Sequence, residues 1–148
     1  MKKLKQIVAV LSLAVTFVAC MPVTKTFAQD TQKQKAVKTY YASYESKDWN
    51  TLATLLAEDF TFSSPAGDNH ISLATYHAKC WPTSQMTKKV ALLNMMEKGN
   101  QLFLLVEITS TEGKVARNVD LFTFDGSGKI KSHECFFGPG IGYPHSTN

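Results

Sequence analysis

The chain has 148 residues and a formal net charge of +4, a length that suits one domain. The excess positive charge lies in residues 1–28, which hold four lysines and no acidic residue. In the remaining chain 12 basic residues face 12 acidic ones, so its charge gives no support for a nucleic-acid or anionic-membrane partner.

The first 28 residues predict an export signal. A basic start (residues 1–5) precedes an apolar run over 7–19 that is too short to span a bilayer comfortably. The segment ends in small residues at the two positions that signal peptidase reads, so we expect cleavage after Ala28 and a secreted or periplasmic protein. The alternative is a lipoprotein anchored at Cys20, because Cys20 follows the apolar run directly.

Helix signals dominate the first half of residues 29–148, which we interpret as one domain. Thr31 and Gln34 fit a capping box, in which two side chains satisfy free amide donors at a helix start. Asp48 and Ser72 are typical caps of two further helices. The predicted elements are a helix over 31–46, a helix over 49–58, a strand over 59–63, a loop over 64–69 and a third helix from Ser72 that Pro82 stops.

After Pro82 the apolar period changes from helical to extended. The stretch Asp125-Gly126-Ser127-Gly128 between apolar runs is a strong hairpin signal. The predicted strands cover 90–97, 101–109, 114–124 and 130–137. This order predicts an α+β fold with helices on one face of a curved antiparallel sheet. Such a sheet leaves a cone-shaped cavity that favours apolar ligands held by a few polar groups.

Asp120 is the unusual residue of the last hairpin, because its neighbours are apolar and aromatic. A buried carboxylate is costly unless it is paired, hydrogen-bonded or protonated. One interpretation makes Asp120 a polar anchor inside an apolar cavity. In the other, Asp120 faces outward or pairs with Arg117 or Lys131.

The cysteines and histidines do not predict a metal site, since neither Cys-x-x-Cys nor His-x-x-x-His spacing occurs. Cys80 and Cys135 either form one disulfide in an oxidising compartment or are two buried thiols. We expect no cofactor, because the chain has no Gly-x-Ser-x-Gly, P-loop or dinucleotide fingerprint.

Three segments share a pattern with a known family: residues 49–65, from Trp-Asn-Thr-Leu to Ser-Ser-Pro; residues 119–125, Val-Asp-Leu-Phe-Thr-Phe-Asp; and residues 128–130, Gly-Lys-Ile. On these segments the chain from about Thr31 to Phe137 resembles the nuclear transport factor 2-like superfamily, in its SnoaL-like and ketosteroid-isomerase-like branch. The resemblance implies a cone-shaped α+β barrel with three N-terminal helices and a homodimer through the exposed sheet face. It leaves activity open, because the superfamily mixes isomerases, cyclases, dehydratases and non-catalytic binders.

The resemblance also implies roles for single residues. Ketosteroid isomerases hold a substrate oxygen with a tyrosine on the first helix and a protonated aspartate on the penultimate strand, positions that match Tyr40 and Asp120. The position of their catalytic base is Ser64, which cannot abstract a carbon-bound proton. His133 shares a strand face with Cys135 and is the residue that could replace the base.

The predicted site therefore has two sets of residues. The predicted catalytic residues are Asp120, His133 and Tyr40. The predicted ligand contacts are Tyr40, Ser64, Asp120, Phe122, His133, Cys135 and Phe137. A structural role stays open for Tyr40, as a core residue whose hydroxyl is satisfied locally, and for His133, as a partner of Asp120.

The sequence thus predicts an apolar pocket that binds a small carbonyl- or hydroxyl-bearing ligand without metal or cofactor. The alternative is a cofactor-free isomerase, cyclase or dehydratase that transfers a proton next to a carbonyl.

Overall fold

The computed structural model describes residues 29–137. The predicted export signal, Cys20 and the chain from residue 138 onward lie outside the described residues. No helix within 29–137 is both long enough and apolar enough to cross a membrane.

The described residues form three α-helices and one 3₁₀ helix: α1 (Gln32–Ser46), α2 (Trp49–Leu55), α3 (Leu73–Lys79) and the 3₁₀ helix Trp81–Met86. The predicted caps are confirmed. Thr31 and Gln34 form the capping box of α1. The side chains of Asp48 and Ser72 accept hydrogen bonds from free backbone amides at the starts of α2 and α3.

Within residues 29–137 six strands form one sheet: β1 (Leu56–Ser64), β2 (Asp68–Ser72), β3 (Thr87–Lys98), β4 (Gln101–Ser110), β5 (Val115–Phe124) and β6 (Ile130–Phe136). Their order is β2-β1-β6-β5-β4-β3. Strands β3 to β6 form the predicted antiparallel meander, whereas β1 pairs with β6 in parallel. The sheet is therefore mixed and unclosed, with β2 and β3 at its edges, within an α+β fold of the nuclear transport factor 2-like type.

Several predicted boundaries were wrong, among them the start of the strand predicted over 90–97, which begins at Thr87. The second helix ends at Leu55 rather than Glu58, because Leu56 already pairs with Ile130 of β6. The predicted loop over 64–69 contains the start of β2 at Asp68. Strand β2 is largely exposed, so its polar sequence carries no alternating apolar pattern.

The inner face of the sheet carries the core. Leu102, Leu104 and Val106 of β4 are almost fully buried, and they alternate with partly buried residues as expected for a strand with one face on the core. The hairpin between β5 and β6 extends this face, because cross-strand pairing puts Asp120 opposite Cys135 and Phe122 opposite His133. The predicted turn closes this hairpin, with the Asp125 amide donating to the Lys129 carbonyl over 2.9 Å. Asp120 and His133 thus enter the core on adjacent strands.

Candidate functional site

A cavity of about 680 Å³ lies between the inner face of the sheet and the helices. Its volume is within the usual range for small-molecule sites. Most of the wall is apolar, and the polar residues near the rim include Lys79, Glu112 and Lys114. Apolar wall residues include Phe62, Val90, Ile108, Val115 and Phe137.

Asp120 lies in this wall and is 1% exposed. The interpretation in which Asp120 faces outward or pairs with a neighbouring cation is wrong. Arg117 instead pairs with Glu107 at 2.8 Å, and Lys131 pairs with Asp59 at 3.4 Å. The buried carboxylate is therefore held by other groups.

Two side chains meet the carboxylate at the same oxygen. The Tyr41 hydroxyl donates a hydrogen bond to Asp120 Oδ2, and His133 Nε2 lies 3.5 Å from that atom. The other oxygen, Asp120 Oδ1, is buried and has no hydrogen-bond partner among the described residues, and the same holds for His133 Nε2. The cluster of Asp120, Tyr41 and His133 thus has unused hydrogen-bonding capacity at the cavity wall.

The His133 ring is fixed on several sides. Its Nδ1 atom lies 3.0 Å from the Tyr40 hydroxyl oxygen. The ring stacks on Phe122 with centroids 4.3 Å apart, and the Phe62 ring meets it edge-on at 5.1 Å. Because hydrogen bonding and packing set the ring plane, Nε2 points reproducibly toward Asp120.

Behind His133 the hydrogen bonds continue through three tyrosines. The Tyr76 hydroxyl bonds to the hydroxyls of both Tyr40 and Tyr44. Burial raises the pKa of Tyr44 to about 12, and it raises the pKa of Tyr40 and Tyr76 well above the ordinary value. All three hydroxyls are therefore protonated at neutral pH.

Tyr41 and Cys135 show the influence of the Asp120 charge. Burial is the main cause that raises the pKa of the Tyr41 hydroxyl, and the charge of Asp120 adds to it. The pKa of the Cys135 thiol is raised in the same way. Tyr41 thus stays protonated and acts as a donor to the carboxylate.

The structure separates the predicted site residues into two groups. Ser64, Asp120, His133, Cys135 and Phe137 line the cavity, while Tyr40 and Phe122 do not. Tyr40 lies behind His133 and contacts its Nδ1 atom, so His133 separates Tyr40 from the cavity.

Tyr41 and Tyr44 line the cavity and were missed in the sequence. The signal for them was the cluster of tyrosines on the first helix, but sequence spacing alone did not show which one reaches Asp120.

Ser64 lies near the cavity rim, where its hydroxyl donates to Asp68 Oδ2 over 2.7 Å. Cys80 and Cys135 are free thiols rather than a disulfide. Burial raises the pKa of Cys80 to about 11, so its thiol carries a proton at neutral pH. Within residues 29–137, no group of three or more histidine, cysteine or acidic side chains is placed to hold a metal ion.

The chain matches one protein family in sequence and several solved structures in fold. Residues 37–133 match the SnoaL-like domain family. A nuclear transport factor 2-like protein of unknown function from Cytophaga hutchinsonii has 24% identity and a TM-score of 0.60, over 76% of this chain and 95% of that one. A Kribbella flavida protein provisionally assigned as a ketosteroid isomerase has 17% identity and a TM-score of 0.59, over 76% and 82%. No curated protein matches the chain in sequence. At these identities the solved structures are similar in fold.

Proposed function

This chain belongs to the SnoaL-like domain family, and we propose that it is an exported protein whose cavity binds a small, mostly apolar ligand through one carbonyl or hydroxyl oxygen. Export is supported by the basic and apolar pattern of residues 1–28. Binding is supported by the cavity and by the polar cluster in its wall.

The observation that carries the binding proposal is the pair of unused atoms, Asp120 Oδ1 and His133 Nε2. A buried polar atom without a partner costs about 1–3 kcal/mol. A ligand hydroxyl can donate to Oδ1, and a ligand carbonyl can accept from a protonated Nε2. The apolar wall would hold the remainder of the ligand by burial of its surface.

A second candidate function, a cofactor-free proton-transfer enzyme, is supported by the position of His133 beside Asp120. That reaction needs the other tautomer of His133, with its proton on Nδ1, so that Nε2 can take a proton from the carbon next to a carbonyl. The electron pair of the broken C–H bond would move onto the carbonyl oxygen as an enolate. Asp120 would stabilise the resulting imidazolium, and return of the proton to another carbon would complete an isomerisation.

Binding is tested with 2-methylnaphthalene, an apolar probe small enough for the cavity, by titration calorimetry. We expect saturable binding to the wild type and loss of binding in Val90→Trp, because Val90 lines the cavity. Val119→Trp is the matched control, since Val119 is 43% exposed. Equal loss in both variants, or no binding to the wild type, would contradict the proposal.

The enzyme candidate is tested by hydrogen–deuterium exchange of the methyl protons of 2-acetylnaphthalene in D₂O, followed by proton NMR. A base at His133 should speed exchange above the buffer rate, and His133→Gln should remove the acceleration. Exchange at the buffer rate in the wild type would refute the enzyme candidate and would not affect the binding proposal.

Export is tested by the intact mass of the protein recovered from cells that express the whole chain. We expect a mass that starts at Gln29 and material outside the cytoplasm. A mass that starts at Cys20 with added lipid would support the anchored alternative, and an unprocessed chain would contradict both.

A further inference from the structure

We propose that the cavity selects a ligand that presents a hydroxyl, which can donate and accept, over one that presents a carbonyl, which can only accept, because the polar cluster holds a free acceptor, Asp120 Oδ1, beside a free donor, His133 Nε2. This inference rests on the proposed binding function. It differs from what the family resemblance implies, which is recognition of a carbonyl by a protonated aspartate.

The first step concerns the carboxylate. Tyr41 donates to Asp120 Oδ2, and His133 Nε2 faces the same oxygen at 3.5 Å. If Nε2 lacked a proton, its lone pair would face a carboxylate oxygen, which is repulsive. With the proton on Nε2, two groups that carry protons face one oxygen, and a carboxylate is the form that only accepts. Nε2 makes no hydrogen bond to that oxygen at 3.5 Å, so its proton stays free for a ligand oxygen. The other carboxylate oxygen, Oδ1, then offers lone pairs alone.

The second step follows the hydrogen bonds away from Asp120. In a neutral imidazole with its proton on Nε2, Nδ1 is an acceptor, so the Tyr40 hydroxyl must donate to it. Tyr40 then accepts from Tyr76, and Tyr76 accepts from Tyr44. Each of the three hydroxyls has one proton, and each donates it to the next group in the direction of His133.

The third step returns to the cavity. Tyr44 lines the same wall as Asp120, and its proton is committed to Tyr76. At both positions the side chain can offer the ligand an oxygen lone pair but no proton, and the free donor of the cluster is His133 Nε2. A second proton on His133 would reverse the tyrosine chain and free the Tyr44 proton, yet Asp120 Oδ1 would remain an acceptor.

The inference leads to a ligand class: an apolar molecule that carries a phenolic or alcoholic hydroxyl. Such a group donates to Oδ1 in a site without competing water, where a hydrogen bond to a charged acceptor is strong. A carbonyl at the same place would put its lone pairs against those of the carboxylate.

Three probes that share one ring system test the inference by calorimetry at neutral pH: 2-naphthol, 2-acetylnaphthalene and 2-methylnaphthalene. We expect 2-naphthol to bind the wild type at least about tenfold more tightly than 2-methylnaphthalene, with no such gain for 2-acetylnaphthalene. The preference for 2-naphthol should fall in Asp120→Asn, which keeps the shape but halves the acceptor capacity. The circular dichroism spectrum of the variant serves as the check that it is folded.

The outcomes separate the two proposals. Binding of 2-methylnaphthalene with equal or tighter binding of 2-acetylnaphthalene than of 2-naphthol would overturn the inference, indicating a protonated Asp120, and leave the binding function intact. No binding of any probe would overturn both. A preference for 2-naphthol that persists in Asp120→Asn would place the recognition elsewhere and refute the assignment to Oδ1.

Discussion

Replacing Tyr41 by phenylalanine removes one hydroxyl whose loss should be costly. That hydroxyl donates to Asp120, which is 1% exposed, and the other polar neighbours of the carboxylate within residues 29–137 are His133 and the Cys135 thiol. Hydrogen bonds to charged groups contribute about 1.5–3 kcal/mol, whereas neutral ones contribute about 0.5–1.5 kcal/mol. We therefore expect Tyr41→Phe to lower the free energy of unfolding by about 2–3 kcal/mol, a fall in Tm of roughly 10 °C.

The matched control is Tyr44→Phe, because the Tyr44 hydroxyl on the same helix bonds to a neutral partner, Tyr76. We expect this control to cost about 1 kcal/mol. Both variants and the wild type are compared by urea unfolding monitored by circular dichroism.

A double-mutant cycle isolates the contact between Tyr41 and Asp120. In an Asp120→Asn background the charge is absent, so Tyr41→Phe should cost only about 1 kcal/mol and the coupling energy should be at least about 1 kcal/mol. A coupling energy near zero, or a cost of Tyr41→Phe no larger than that of Tyr44→Phe, would refute the view that Tyr41 holds a buried carboxylate.

Three further predictions concern other parts of the molecule. Burial raises the pKa of Tyr44 from 10.0 to about 12. The unfolded chain therefore loses this proton first, and the associated stability, complete below pH 10, declines by roughly 1.4 kcal/mol per pH unit up to about pH 12. The stability gap between wild type and Tyr44→Phe, about 1 kcal/mol at neutral pH, should close and then reverse over that window in urea titrations, and a constant gap would contradict the shift. Gly128 has φ +83°, and a Cβ there would lie 2.8 Å from Gln32 Nε2. Gly128→Ala should lower stability by about 1 kcal/mol or more in thermal unfolding, whereas Gly126→Ala, where a Cβ meets nothing within 4 Å, should cost clearly less. The homodimer through the outer sheet face remains a prediction, in which Phe136, 51% exposed, would be covered. Phe136→Asp should convert a dimer into a monomer in sedimentation velocity, and a wild-type monomer at micromolar concentration would exclude this interface.

The features predicted best from sequence are those that short segments determine. The capping box of Thr31 and Gln34 and the turn that ends at Gly128 depend on side chains and backbone within a few residues, so their sequence signals are sufficient. The end of α2 was missed because an apolar residue such as Leu56 suits a buried helix as well as a buried strand. Its strand conformation depends on Ile130, which is far away in sequence.

The site was predicted only in part, for a geometric reason. Asp120 and His133 reach the wall because alternation along a strand decides which face a side chain takes. Tyr40 and Tyr41 are adjacent on a helix, where neighbouring side chains point about 100° apart. Only the rotation of α1 against the sheet determines that Tyr41 meets Asp120 and Tyr40 lies behind His133.

The link between Tyr41 and Asp120 also has a consequence for folding kinetics. The two residues are 79 positions apart, whereas β5 and β6 are joined by a short hairpin. Closing the long loop costs more entropy, so the meander is expected to form before α1 docks on it. Until then Asp120 is solvated and the cavity has no helical wall. Contacts made by Tyr41 should accordingly slow unfolding more than they speed folding, which makes the docked helix the main determinant of the lifetime of the native state.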